Sequence, residues 1–114
     1  MIHYVMTKAA KMALVNGMAR LTRSTGVTVT AVLPGPTASE GVTEFVGQLA
    51  PNGRQTPAEF ELEFFRSVRP TSVHQRFATA DEVAAIVAYA CSSQASATNG
   101  TDLRFDGGVV RGTI

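Results

Sequence analysis

Tyr4 and Lys8 stand four residues apart in the run His3-Tyr4-Val5-Met6-Thr7-Lys8-Ala9-Ala10. Four residues is about one turn of an α-helix, so both side chains leave one face. A phenol held beside a fixed cation is a candidate acid/base, because the charge favours the phenolate. Other chemistry is sparse. The sequence has no Cys/His cluster suited to zinc, no Gly-x-Gly-x-x-Gly turn and no Walker sequence. His3 adjoins Tyr4, where a surface or packing role is expected, and His74 forms no constellation with it. Cys91 is the only cysteine, so no internal disulfide can form. Its neighbours Ala88-Tyr89-Ala90 suggest a buried structural thiol rather than a reactive one.

The elements that must position Tyr4 and Lys8 follow from periodicity. Residues Tyr4 to Thr25 hold no Pro and only Gly17 among glycines, and they are rich in Ala, Met and Leu. Val5, Ala9, Met12, Ala13, Leu14, Met18 and Leu21 recur at helical spacings, which predicts a long helix with Gly26 as its C′ residue. Val27 to Leu33 is β-branched and uncharged, reads as a strand shielded on both faces, and ends at Pro34-Gly35-Pro36. A loop with one short helix is expected over residues 36–56, carrying Val42, Phe45, Val46 and Leu49.

Thr56-Pro57-Ala58-Glu59 matches a capping box with proline at the first helical position, opening a helix to about Val68. Thr79-Ala80-Asp81-Glu82 opens another, with Val83, Ile86, Val87 and Ala90 on its apolar face and an end near Ser92-Ser93. Asn99-Gly100 marks a turn, Thr101 to Phe105 a short strand, and Asp106-Gly107-Gly108 a second turn. Strands joined through a helix imply a right-handed crossover in a parallel sheet. The fold class is α/β.

The chain has 114 residues, enough for one domain; 45% are hydrophobic and 17% charged, a globular composition. Ten Lys/Arg against nine Asp/Glu leave a net charge of +1 with no block of either sign. That offers no electrostatic footprint for nucleic acid or an anionic membrane. The start lacks a signal-peptide pattern, and no apolar run reaches transmembrane length, so a cytoplasmic location is expected.

The elements occur in a telling order: Tyr4-x-x-x-Lys8-Ala9-Ala10, Gly26-Val27-Thr28-Val29, Ala31-Val32-Leu33-Pro34-Gly35-Pro36-Thr37, a Phe-rich segment, Asp81-Glu82-Val83-Ala84, Asn99-Gly100 and Asp106-Gly107-Gly108. This succession resembles the C-terminal half of a short-chain dehydrogenase/reductase and covers essentially the whole chain. The implied fold is the C-terminal portion of a Rossmann-like doubly wound parallel sheet: long helix, strand, lid helices, helix, final strand. Residues 1–114 would form a single partial domain.

By the same resemblance, Tyr4 is the catalytic acid/base, exchanging a proton with the oxygen of an alcohol or carbonyl substrate while hydride moves to or from nicotinamide. Lys8 assists Tyr4 and hydrogen-bonds the nicotinamide ribose. Pro34, Gly35, Pro36 and Thr37 resemble the loop that passes the nicotinamide carboxamide, with Thr37 offering main-chain contacts. Ser39 falls where the family often has a threonine facing the diphosphate, and keeps the hydroxyl. Thr30 replaces a common Asn, read as a packing variation. The phenylalanines at 45, 60, 64 and 65 could line a substrate pocket or simply bury helix faces.

The resemblance also shows what these residues lack. The family's Gly-rich dinucleotide turn, its NAD-versus-NADP selector and its catalytic serine lie upstream of Tyr-x-x-x-Lys. Ser24 cannot stand in, being about 24 Å from Lys8 along the helix axis. The intact domain would use NAD or NADP, whereas this chain alone is expected to bind neither and to be inactive. The retained strands would be a two-stranded remnant with exposed faces, so aggregation, self-association or dependence on a covering partner is expected, with a homo-oligomer through the long helix and last strand as the expected assembly. Two readings remain: part of an NAD(P)-dependent oxidoreductase, or a non-catalytic oligomerisation or interaction module derived from that fold.

Overall fold

The computed structural model describes residues 2–39, 41 and 56–112. Their order is α1 (Ile2–Leu21), β1 (Ala31–Pro34), α2 (Pro57–Ser67), α3 (Ala80–Ala90), a 3-10 turn (Ser93–Ala95) and β2 (Asp102–Phe105). β1 and β2 pair in a two-stranded sheet. The Ala31 N–H donates to the Thr101 carbonyl at 3.1 Å, and the Gly35 N–H to that of Phe105 at 2.9 Å. Donor and acceptor numbers rise together along the pair, so the strands are parallel. Contacts divide the chain into two compact units, Met1–Leu33 with Ala85–Arg104, and Pro34–Ala84 with Phe105–Ile114.

In the first unit, α1 is built from good helix formers but stops at Leu21, short of the expected Thr25. The Thr22 hydroxyl donates to the Ala19 carbonyl at 3.0 Å. The Thr25 N–H and hydroxyl both donate to the Thr22 carbonyl. These local bonds satisfy the helix end with a turn instead of another helical round. Gly26 is left-handed at φ +77°, but inside that turn rather than at C′, and Ser24 is left-handed too.

The first strand also begins later than its β-branched run suggested, at Ala31 instead of Val27. Upstream, side chains share in the pairing, beside the Gly100 N–H that donates to the Val29 carbonyl at 2.9 Å. The Val29 N–H donates to Asn99 Oδ1 at 2.8 Å, and the Thr30 hydroxyl to the Thr98 carbonyl at 3.0 Å. Asn99-Gly100 forms the expected turn, with Gly100 at φ +67°. Asn16 Nδ2 ties α1 to it through the Gly100 carbonyl at 3.0 Å. Little of this unit is buried: Ala19 and Ala95 are, whereas Leu14 and Leu21 on α1 are 61% and 85% exposed. Cys91, expected to be buried, is exposed. Ala88 and Tyr89 beside it are exposed as well, so its apolar neighbours in sequence give it no cover.

The second unit has a core of its own. Both capping boxes form: the Thr56 hydroxyl accepts the Glu59 N–H while Glu59 Oε2 accepts the Thr56 N–H at 2.8 Å. Thr79 and Glu82 repeat the exchange at the start of α3. Phe64 and Phe65 project from α2 against Phe77, with ring centroids 5.0 and 5.1 Å apart, and Phe60 stacks on Phe77 at 6.4 Å. Phe65 is 1% exposed. Of the two readings of these rings, packing is the one realised among the described residues. Val42, Phe45, Val46, Leu49 and the short helix expected near them lie outside the described residues. The Asp106-Gly107-Gly108 turn is present, with both glycines left-handed. Asp106 Oδ1 accepts the Gly108 N–H and Oδ2 that of Val110.

Candidate active site

Tyr4 and Lys8 project from one side of α1 as the one-turn spacing requires. The Lys8 ammonium lies over the Tyr4 ring, Nζ 5.3 Å from the centroid, a cation–π distance. Tyr4 is 55% exposed. The Thr7 hydroxyl donates to the Tyr4 carbonyl at 2.8 Å, which holds the local helix. The chemistry available is therefore a reachable phenol whose ring is held by a cation, open to a molecule approaching the face. His3 is exposed, and its side chain makes no hydrogen bond among the described residues.

Pro34, Gly35, Pro36, Thr37 and Ser39 belong to the second unit and run on from β1. Gly35 has a definite steric reason to be glycine. A Cβ there would lie 2.7 Å from both the Cα and the carbonyl oxygen of Asp106. The close approach that this glycine accommodates among the described residues is to the chain's own turn after β2. Thr37 pairs with Ala78 in an isolated parallel bridge. The Ala78 N–H donates to the Pro36 carbonyl at 2.9 Å, and the Ala38 N–H to that of Ala78 at 2.8 Å.

A parallel bridge made through the flanking residues leaves the central residue's own N–H and C=O on the opposite side. Neither of these Thr37 groups makes a hydrogen bond among the described residues, while its hydroxyl turns back to the Gly35 carbonyl at 3.0 Å. That is a free donor and acceptor side by side. Ser39 is exposed.

Sequence reasoning missed the group that supports this loop. Arg76 forks onto Glu82, Nη2 to Oε1 at 2.6 Å and Nη1 to Oε2 at 2.8 Å, and Nη1 also reaches the Phe77 carbonyl. The Arg76 hydrogen bond, then the backbone N–H of Thr79, hold the Glu82 carboxyl down at about 2. Glu61 Oε1 accepts the Phe77 N–H at 2.6 Å. Pro36, His74, Arg76, Ala78, Glu82 and Asp106 border a cavity of about 190 Å³ in this unit. The legible signal was an arginine three residues before a capping box; that its guanidinium would fold onto the box's own Glu was not.

These arrangements have close counterparts. The family model described as enoyl-(acyl carrier protein) reductase matches residues 1–110. The chain belongs to the short-chain dehydrogenase/reductase family. It is 46% identical over 111 residues to the uncharacterized oxidoreductase YvrD of Bacillus subtilis, covering 97% of this chain and 42% of YvrD.

Among solved structures, L-sorbose reductase from Gluconobacter frateurii, complexed with NADPH and L-sorbose, superposes with a TM-score of 0.85 at 21% identity, covering 96% of this chain and 40% of that one. A short-chain oxidoreductase from Pseudomonas aeruginosa with an atypical catalytic centre gives 0.80 at 22%, covering 92% and 39%. The α/β order and parallel pair are therefore part of the Rossmann fold of short-chain dehydrogenases. The chain spans less than half the length of these relatives. Among the described residues no helix is long and apolar enough to cross a membrane, and no cluster of side chains could hold a metal ion.

Proposed function

We propose that this chain is the C-terminal portion of an NAD(P)-dependent short-chain oxidoreductase acting on a small alcohol or carbonyl substrate. The observation that carries this reading is the Lys8 ammonium seated over the exposed Tyr4 ring, at the family's one-turn spacing. Tyr4 gives its phenolic proton to the carbonyl oxygen in reduction and takes it back in oxidation. Lys8 sets a positive charge over the face of the Tyr4 ring. Its ammonium also suits a ribose hydroxyl.

The residues present suit a nicotinamide nucleotide in part. Among the described residues Thr37 leaves a main-chain N–H and C=O unpaired, the complement of a carboxamide, and Pro34, Gly35 and Pro36 carry the chain to it. Ser39 contributes an exposed hydroxyl for a phosphate oxygen. A bound nicotinamide would supply or accept the hydride. The diphosphate's usual helix N-terminus and the carbonyl-polarising serine are not in this sequence, so the site is completed by residues outside it, and 1–114 alone is inactive.

The test is a titration of the chain with NADH and NADPH, followed by cofactor fluorescence, with Tyr4→Phe and Lys8→Ala alongside. Absence of saturable binding supports a site completed elsewhere. Binding weakened by Lys8→Ala would show that this portion assembles a nucleotide site unaided and would refute its dependence on other residues. The oxidoreductase reading itself fails if a longer polypeptide that binds the cofactor retains full activity as Tyr4→Phe.

A second reading, a non-catalytic interaction module, is favoured by the exposed apolar residues of α1. Ile2, Val5, Met6, Leu14 and Leu21 are all more than half exposed, and with the exposed Met12 and Met18 they cover about two thirds of the helix circumference. Helices apolar all round are normally covered. In this reading the chain forms a homo-oligomer through α1 and β2, which sedimentation at several concentrations would detect.

A further inference from the structure

Among the described residues, the main chain of the loop bearing Thr37 is hydrogen-bonded to the segment before α3 at Ala78, which both donates to Pro36 and accepts from Ala38. Ala78 lies between two anchors. On one side Arg76 and Phe77 are tied to Glu82 and Glu61. On the other, Thr79 exchanges its capping bonds with Glu82. One carboxylate therefore grips both sides of Ala78: Oε1 takes Arg76 Nη2, and Oε2 takes Arg76 Nη1 and the Thr79 N–H. A forked guanidinium–carboxylate contact fixes orientation as well as distance.

We propose that Arg76 and Glu82 are positioning residues: their forked pair sets residues 76–79 so that Ala78 clamps Pro36 and Ala38 and turns the main-chain N–H and C=O of Thr37 outward for a ligand. The ligand class, a primary carboxamide presented by a dinucleotide, rests on the function proposed above; the clamp does not. Neither side chain need touch that ligand, since each acts through the Thr37–Ala78 bridge.

The experiment is amide hydrogen exchange on the 114-residue chain, compared with Arg76→Ala and Glu82→Gln. The glutamine keeps an oxygen for the Thr79 N–H, so α3 retains its cap while the ionic fork is lost. Exchange at the Ala38 and Ala78 amides should rise about tenfold or more, as local opening follows loss of a charged contact. The Val68 amide, bonded to Phe64, and the Gly35 amide, bonded to Phe105, should keep their rates. Added guanidinium at millimolar level should restore protection in Arg76→Ala, with sodium chloride at equal ionic strength having no effect.

Unchanged exchange at Ala38 and Ala78 overturns the clamp. An equal rise at all four amides in Glu82→Gln also overturns it, because the pair would then support the unit as a whole and not this loop. NADPH titration of the same samples decides the separate question of the ligand. Absence of binding leaves the exchange result to judge the clamp, whereas binding that Arg76→Ala weakens and guanidinium restores supports both.

Discussion

The two compact units spend their side chains differently. The unit of residues 34–84 and 105–114 encloses Phe65 among Phe64 and Phe77, closes two reciprocal helix caps and forks Arg76 onto Glu82. The unit that carries Tyr4 and Lys8 buries Ala19 and Ala95 and leaves the large apolar residues of its 20-residue helix exposed. One unit is held by a core of its own. In the other, Asn16 and the main chain of Val29 are hydrogen-bonded to the Asn99-Gly100 turn. The residues with candidate chemistry thus sit on the less covered scaffold, and the loop that carries Thr37 sits on the better braced one.

The sharpest way to break this contrast is Phe65→Ala. Emptying the most buried aromatic position should cost about 3–5 kcal/mol, enough to unfold its unit in a urea titration followed by circular dichroism. A loss below about 1 kcal/mol would mean that the ring cluster is not the core.

Gly35→Ala comes next. The added Cβ meets the Asp106 backbone at 2.7 Å, and backbone cannot swing aside as a side chain can. Overpacking of this kind costs about 1–3 kcal/mol. The melting temperature should fall, and a variant as stable as the parent would show that the turn after β2 yields easily.

The parts of this contrast that were legible in sequence are local ones. The capping boxes at Thr56 and Thr79, the left-handed glycines of the Asp106-Gly107-Gly108 turn and the Tyr4–Lys8 spacing each depend on residues within a few positions. What escaped depends on distant partners. The first strand starts late because Asn99 and Thr98 take the bonds of Val29 and Thr30, some seventy residues away in sequence. Phe77 and Ala78 fall between the two helices expected from sequence, where no local pattern assigns them a role, yet one completes the ring cluster and the other bridges to Thr37. Cys91 misled because apolar neighbours along the chain do not guarantee cover in space. The order of elements still carried the α/β class and its parallel pairing.

Acid should act on the braced unit through Glu82. Its folded carboxyl titrates at about 2, held down first by the Arg76 hydrogen bond, against an ordinary value of 4.5. A depressed carboxyl contributes stability that is fully present above about 4.5 and is lost as pH falls through about 2. Glu59 is lowered too, by the Thr56 backbone N–H and then its hydroxyl, so both caps weaken in acid. Thermal melts of the parent and Glu82→Gln should therefore differ most above pH 4.5 and converge towards pH 2. A gap between them that stays constant across this range would place the effect of the substitution outside the titration of Glu82.

The smallest expected effect probes the other side of the contrast. Leu14 and Leu21 are 61% and 85% exposed on α1, so replacing both by Gln removes little buried surface. Stability of an isolated chain should change by no more than about 0.5 kcal/mol per site. The same replacements remove part of an apolar surface that wraps the helix, and such surface drives association where a second body covers it. Sedimentation of parent and double variant at matched concentrations separates the cases. A parent that sediments as an oligomer and a variant that sediments as a monomer would mean that copies of this chain cover α1. Two monomers of equal stability would mean that copies of this chain do not cover α1. A large loss of stability in a monomeric variant would contradict the exposure itself and erase the difference between the two units.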